Sequence, residues 1–115
     1  METWNLREIE VEGGSRSPLV LYSQQQAARV VLIVLEPGQE LGDHQVKEVA
    51  FVLVVDGQAQ IEDSGGQSIG AGTGSLVRFD PDERHAVSSA SGARILLFLT
   101  PWPGAGHYRG SDARG

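Results

Sequence analysis

The stretch "LEPGQELGDHQVKEVAFVLVVDG", residues 35–57, decides the fold of this chain. It contains a Pro-Gly turn, the histidine His44, and a long apolar run that ends in Asp56-Gly57. The β-branched residues of the run favour a strand, and the run is too short to cross a bilayer. The Asp-Gly pair predicts a type I′ hairpin that leads into the next run, "QAQIED". His44 is either a ligand of a metal, one wall of an apolar pocket, or a histidine that happens to end a strand.

The rest of the chain repeats this pattern of short apolar runs between turns. The sequence has 115 residues and 15 glycines, and turn signals such as "EGGS", "SGGQ" and "DPDE" separate its β-branched runs. No segment sustains the period of an amphipathic helix. The pattern predicts an all-β domain with about eight short antiparallel strands in a sandwich or small barrel. The candidate strands are Leu6–Val11, Leu19–Ser23, Arg29–Leu35, Val49–Val55, Ala59–Asp63, Ser75–Phe79, His85–Ser89 and Arg94–Thr100.

We expect one domain with three parts. Residues 1–28 supply N-terminal strands that pack on the barrel, residues 29–100 form the barrel core, and residues 101–115 form a Pro- and Gly-rich tail. Trp102 is able to fold back onto apolar surface. For His107, a solvated position in the tail is the preferred interpretation, and a position at the barrel mouth is the alternative.

Charge and composition exclude several classes of function. The formal net charge is −6 and Lys47 is the single lysine, which argues against a nucleic-acid partner because phosphates require clustered cations. The sequence has no cysteine, so thiolate chemistry and disulfides are excluded. The N-terminus has neither the basic nor the apolar region of a signal peptide. We therefore expect a cytoplasmic protein without a membrane partner.

Two units of the sequence resemble the motifs of the cupins, which are small jelly-roll β-barrels. The first cupin motif has the frame glycine, five residues, His-x-His, three or four residues, Glu, six residues, glycine, and its positions here are Gly38, His44, Val46, Ala50 and Gly57. The second motif has the frame glycine, five residues, Pro-x-Gly, two residues, His, three residues, Asn, and it is matched in spacing by Gly74, Asp80-Pro81-Asp82, His85 and Ser89. The resemblance covers roughly residues 30–100 and implies a cupin-type jelly-roll β-barrel.

The departures from the motifs concern the metal site that the resemblance implies. Cupins typically bind a metal through two histidines and a glutamate of the first motif and one histidine of the second. Here His44 and His85 stand at two of these positions, but Val46 and Ala50 occupy the other two. A divalent transition metal (Fe, Mn, Ni or Zn) would then depend on His44 and His85, with Glu48 as the carboxylate best placed to complete the site.

Strand alternation predicts an apolar pocket that opens at the two histidines. On one face of the strand after His44 lie Val46, Ala50 and Val52, and His85 and Val87 alternate in the same way on the facing strand. Arg78 either points into this pocket, where it would pair with an anionic ligand, or lies at the surface. The predicted pocket residues are His44, Val46, Ala50, Val52, Arg78, His85 and Val87.

Two functions follow from these alternatives. The first is a small-molecule-binding barrel of the sensor or carrier type, and the second is a metal-dependent cupin enzyme of the dioxygenase or isomerase class that uses His44 and His85. The sequence leaves open whether the chain is an enzyme. The resemblance also implies a homodimer, to which Trp4 and the N-terminal strand would contribute by covering an exposed sheet edge.

Overall fold

The structure is a computed structural model, and it describes residues 1–12 and 18–107, without the side chains of residues 43 and 44. Within these residues eight strands follow one another, and every pairing between them is antiparallel. This confirms the predicted all-β class and the predicted number of strands. Their bounds are β1 Leu19–Gln24, β2 Ala28–Leu35, β3 Glu40–His44, β4 Val49–Asp63, β5 Ser68–Gly72, β6 Leu76–Phe79, β7 His85–Ser88 and β8 Ala93–Thr100.

The strands form two layers that share β4. In the first sheet, β1 pairs with β2, β2 with β8, β8 with the first half of β4, and that half of β4 with β6. In the second sheet, β3 pairs with β7, and the second half of β4 lies between β7 and β5. The core fills the space between the two layers because alternate side chains of each strand face inward.

The predicted hairpin at Asp56-Gly57 is wrong, because β4 runs through this pair without turning. The register with β8 shifts between Val54 and Asp56, so the pair forms an irregularity at the point where β4 passes from one sheet to the other. Gly57 has a φ of 100°, and a Cβ at this position would lie 2.4 Å from the carbonyl oxygen of Gly92. Glycine is therefore required here for the close approach of β4 to the backbone at Gly92 rather than for a turn.

Three other strand assignments differ from the sequence prediction. The stretch Leu6–Val11 contains a turn at residues 6–8 instead of a strand, and Arg94 donates hydrogen bonds to the carbonyl oxygens of Leu6 and Ile9. The strands β3 and β5 were not predicted. Their sequences, "ELGDH" and "SIGAG", carry few β-branched residues, so pairing with β7 and β4 rather than intrinsic propensity determines their conformation.

Candidate functional site

Glu48, the residue before β4, lies on the same side as the inward-facing residues of that strand. Ala50, Val52 and Val54 are buried in the core, and Glu48 has 0% of its surface exposed. This alternation confirms that the strand parity assigned to Ala50 and Val52 from the sequence is correct. It also shows that Glu48 turns inward, whereas the neighbouring Lys47 pairs with Asp82 at 2.6 Å on the surface.

The side chain of Glu48 is held by Gly104 and His107, which follow the last strand. Its Oε2 accepts a hydrogen bond from the backbone N–H of Gly104 at 2.7 Å, and Nδ1 of His107 lies 2.7 Å from the same oxygen. Its Oε1 is buried and has no hydrogen-bond partner among the described residues. Partners such as Gly104 and His107 are needed because burying a carboxylate without hydrogen bonds is costly. The segment 101–107 therefore supplies part of the environment that keeps Glu48 inside the fold.

The segment 101–107, which we call the C-terminal strap, packs on the first sheet through Trp102. The Trp102 side chain belongs to the core, and its backbone exchanges hydrogen bonds with Gln26 and Ala27. The Arg29 guanidinium lies 4.9 Å from the centre of the indole ring, and the His107 ring meets the indole edge-on at 4.4 Å. Trp102 thus folds back as expected.

The preferred interpretation of His107 as a solvated loop histidine is wrong, because its side chain is half-buried against Trp102 and Glu48. The sequence carried one signal for this arrangement, a tryptophan between two prolines in an otherwise polar tail. A second signal is steric. A Cβ on Gly104 would lie 2.5 Å from the carbonyl oxygen of Lys47, so only glycine allows the strap to reach Glu48.

His85 lies on the inner face of β7 and is 2% exposed. Its ring stacks on Phe79 with centroids 4.1 Å apart and an interplanar angle of 11°. Its Nδ1 is 3.1 Å from the carbonyl oxygen of Glu83. The backbone positions of His44 and His85 face each other across β3 and β7, as the two motif frames require, while the His44 side chain lies outside the described part of the structure.

The remaining residues of the second motif hold loops in place. Asp82 stands where the motif has glycine and adopts a φ of 65°, a conformation that aspartate tolerates better than most residues. Its backbone N–H donates to the carbonyl oxygen of Val46 at 2.7 Å. Ser89 is buried, donates a hydrogen bond to the carbonyl oxygen of Gln58, and accepts one from the N–H of Gly92. The backbone N–H of Gly38 also donates to the carbonyl oxygen of Ser89, so the two motifs are joined at Asp82 and at Ser89.

A cavity of about 200 Å³ opens between the edges of the two sheets, at β5 and β6. Its lining includes the buried side chains of Ile61 and Phe79 together with polar groups at the rim. The full lining is Ile61, Asp63, Gln67, Ile69, Val77, Arg78, Phe79 and Glu83. The sequence did not predict this cavity, because β5 was not among the predicted strands and the side chains of β6 that face inward were not identified.

The residues predicted to line a pocket are distributed differently. Ala50, Val52 and Val87 lie in the packed core, and Val46 is partly buried against that core. Arg78 is exposed at the rim of the cavity and forms an ion pair with Asp80 at 2.6 Å. His85 is adjacent to the cavity through Phe79, whose ring it stacks on. The predicted pocket at His44 therefore stays a prediction.

The described donor groups do not fit the four-ligand metal site that the resemblance implies. Val46 and Ala50 offer no donor atoms, and Ala50 is enclosed by core side chains. One oxygen of Glu48 is engaged by Gly104 and His107. Within residues 1–12 and 18–107, leaving out the side chains of 43 and 44, no three His, Asp or Glu side chains cluster so as to hold a metal ion.

Comparison with known proteins identifies the architecture. The family model described as "Cupin domain" matches residues 31–100. No curated protein matches the chain. An RmlC-like cupin protein from Desulfovibrio desulfuricans aligns with a TM-score of 0.75 at 21% identity, over 88% of this chain and 97% of that one. A conserved protein of unknown function from Streptococcus pyogenes gives 0.70 at 22% identity, over 85% of each chain.

A third solved structure agrees with these two. The RmlC-like cupin family protein from Methanocaldococcus jannaschii, which has a double-stranded β-helix fold, aligns with a TM-score of 0.69 at 13% identity. The alignment covers 84% of this chain and 93% of that one. At these identities the solved structures establish the fold alone. The described residues contain no helix that is long and apolar enough to span a membrane.

Proposed function

The chain belongs to the cupin family and has its jelly-roll β-barrel fold, and from this premise we propose that it is a small-molecule-binding module of the sensor or carrier type. The observation that carries the proposal is the cavity between β5 and β6, with its buried apolar floor and polar rim. Ligand sites of proteins commonly have this character, with mostly apolar walls and a few polar groups that orient the ligand. A cytoplasmic location is part of the proposal.

The dimensions of the cavity limit the ligand. Since one water occupies about 30 Å³ of liquid, a cavity near 200 Å³ holds roughly seven to ten non-hydrogen atoms. The floor is formed by Ile61 and Phe79, and Val77 flanks it on β6. His85, one of the residues predicted to bind the ligand, supports the floor from behind by stacking on Phe79.

The proposal predicts that small compounds bind at this cavity and that filling it abolishes binding. We expect a library of compounds of about seven to ten non-hydrogen atoms to include members that shift the backbone amide resonances of residues 61–63 and 76–79 in ¹H–¹⁵N NMR spectra. Val77→Trp places an indole in the cavity and should remove these shifts. The control is Leu76→Trp, because Leu76 is exposed and does not line the cavity. Unchanged shifts in Val77→Trp, or no shifts in the native protein, would contradict the proposal.

The alternative is a metal-dependent enzyme of the dioxygenase or isomerase class, with His44 and His85 as ligands. It has less support, because Val46 and Ala50 provide no donors and Glu48 is bound by the C-terminal strap. Elemental analysis of the same preparations distinguishes the two functions. One tightly bound transition metal per chain, lost in His85→Ala, would favour the enzyme over the binding module.

Homodimerisation is a further part of the proposal, and the outer face of the first sheet supports it. The row Leu32, Leu96, Leu53 and Leu76 crosses four strands next to the row Val30, Phe98, Phe51 and Arg78. Within these rows, the exposed depression formed by Phe51, Leu53, Leu76, Leu96 and Phe98 is entirely apolar. On a chain with a net charge of −6, this apolar depression lets two copies make contact without bringing like charges together there. Trp4, which was predicted to contribute, is also exposed.

Leu76→Glu tests this dimer without disturbing the fold, because the Leu76 side chain is 62% exposed in the single chain. We expect the native protein to have the mass of a dimer in size-exclusion chromatography with light scattering, and Leu76→Glu to have the mass of a monomer. The reason is that burial of two related carboxylates at a two-fold interface is strongly unfavourable. Ile69→Glu, at another exposed apolar residue outside the depression, should leave the dimer intact. A monomeric native protein would refute the proposed interface.

A further inference from the structure

The C-terminal strap ends in a tight turn that lies over Glu48. The backbone N–H of His107 donates to the carbonyl oxygen of Gly104 at 2.9 Å, so residues 104–107 form one turn, which we call the strap turn. Gly104 is buried against the backbone of Lys47, whereas the two residues that follow it are exposed. The strap turn therefore covers Glu48 with one buried backbone amide and one half-buried imidazole.

The strap turn satisfies only half of the carboxylate that it covers. The N–H of Gly104 and Nδ1 of His107 both contact Oε2 of Glu48, each at 2.7 Å. Oε1 of the same carboxylate is buried and has no hydrogen-bond partner among the described residues. A buried oxygen without a partner disfavours the state that buries it, and in a native protein it requires an explanation. The closed position of the strap turn thus carries a cost that a donor at Oε1 would remove.

The strap is anchored separately from its turn. The Trp102 side chain belongs to the core, and the backbone of Trp102 exchanges hydrogen bonds with Gln26 and Ala27. The strap turn follows this anchor and meets Glu48 through polar contacts. Movement of the turn away from Glu48 therefore leaves Trp102 in the core and both sheets intact. Such local opening costs less free energy than unfolding, so an open form is accessible as a minor state.

The surroundings of Glu48 indicate which ligand the open form would take. The next residues on the inner side of β4, Ala50 and Val52, are apolar and buried, and a charged group in such surroundings forms strong hydrogen bonds. The neighbouring cation, Lys47, is paired with Asp82 at the surface. A planar fork of N–H donors, as in an amidinium or a guanidinium, supplies one hydrogen bond to each carboxylate oxygen together with a positive charge. It matches Glu48 better than two donors that share Oε2.

We propose that the strap turn is an autoinhibitory lid over Glu48, and that its open form binds small molecules with an amidinium or guanidinium group through both carboxylate oxygens. The closed turn and the ligand compete for Oε2, so ligand binding requires the lid to open. The site is separate from the cavity between β5 and β6, because Glu48 does not line that cavity. The inference therefore goes beyond the proposed function and does not depend on it.

Amide hydrogen exchange of the native protein at pH 7 tests the lid with acetamidinium as the probe. In the free protein, the Gly104 amide should exchange roughly a hundredfold faster than the amide of Val52 at the centre of β4. Acetamidinium should accelerate the exchange of Gly104 further, because it selects the open form, and should leave Val52 unchanged. Tetramethylammonium carries the same charge without N–H donors, and we expect it to have no effect on either amide.

Two variants distinguish the lid from the site beneath it, with the affinity for acetamidinium taken from the amide shifts of residues 47–50. His107→Ala removes a contact of the lid and leaves the carboxylate, so acetamidinium should bind roughly tenfold more tightly as the open population rises. Glu48→Gln keeps an acceptor for the N–H of Gly104 but removes the charge, and binding should be lost. Glu62→Gln alters an exposed carboxylate away from the strap and should bind as the native protein does.

Three results would each overturn the inference. The first is a Gly104 amide that exchanges as slowly as that of Val52, and the second is an effect of tetramethylammonium equal to that of acetamidinium. The third is weaker or unchanged binding of acetamidinium in His107→Ala, since His107 would then belong to the site or have no role. None of them bears on the cavity between β5 and β6, which is tested through the resonances of other residues.

Discussion

Replacing Gly57 with alanine is expected to lower the free energy of unfolding by about 3 kcal/mol or more, through two independent costs. The first is conformational, because a φ of 100° lies in a region that residues with a Cβ rarely adopt, at a cost of about 1–3 kcal/mol. The second is steric. The new Cβ would lie 2.4 Å from the carbonyl oxygen of Gly92 and 2.9 Å from Cα of Ala93. Both contacts are with backbone atoms, so β8 would have to move, and such overpacking costs about 1–3 kcal/mol.

The control for this substitution is Gly38→Ala. Gly38 also has a positive φ, 85°, but a Cβ there meets no atom within 4 Å. It carries the conformational cost without the steric one, so we expect about 1–2 kcal/mol. Urea denaturation followed by circular dichroism measures both values. Equal losses in the two variants would show that the close approach of β4 to Gly92 does not exist in solution.

Trp102→Ala is expected to cost about 3–5 kcal/mol, the range for removing a large aromatic side chain from a core. The Trp102 side chain is 8% exposed and packs within the main hydrophobic cluster. Its loss also removes the surface on which His107 and Arg29 rest. The C-terminal strap would then be held mainly by Gly104 and His107, and the buried carboxylate of Glu48 would become hydrated as the strap detaches.

The chain offers a matched control in Trp4, the other of its two tryptophans, which is 42% exposed. Trp4→Ala should change the free energy of unfolding of a single chain by less than about 1 kcal/mol, as for most surface substitutions. Chemical denaturation at a protein concentration below the dimer dissociation constant separates folding from association. If Trp102→Ala were as mild as Trp4→Ala, the strap would not be part of the folded core.

The sequence predicted the class and the motif frame because these depend on local patterns, whereas the number of strands agrees although one predicted strand is absent, two are joined in β4, and β3 and β5 were not predicted. Apolar alternation placed Ala50 and Val52 on the inner face, and the motif spacing brought the backbone positions of His44 and His85 opposite each other. Contacts between residues far apart in the chain were not predictable. The carboxylate of Glu48 meets Gly104 across 56 positions, and no pattern in "DHQVKE" indicates that partner.

The wrong hairpin at Asp56-Gly57 has a similar cause. An Asp-Gly pair between two apolar runs is a strong local signal for a two-residue turn. The glycine was instead required by Gly92, which lies 35 positions later in the sequence and approaches it in space. Likewise, the cavity rim joins Asp63 on β4 with Glu83 in the loop before β7, and their proximity follows from the curling of the sheets rather than from their spacing.

The passage of β4 through both sheets has a consequence for the way the molecule unfolds. Its first half is paired with β8 and β6, and its second half with β7 and β5. Neither layer can melt without breaking backbone hydrogen bonds of the same strand, so the layers cannot act as separate cooperative units. The amides at the centre of β4 should therefore exchange with solvent only through global opening, whereas edge strands such as β1 exchange through local fluctuations.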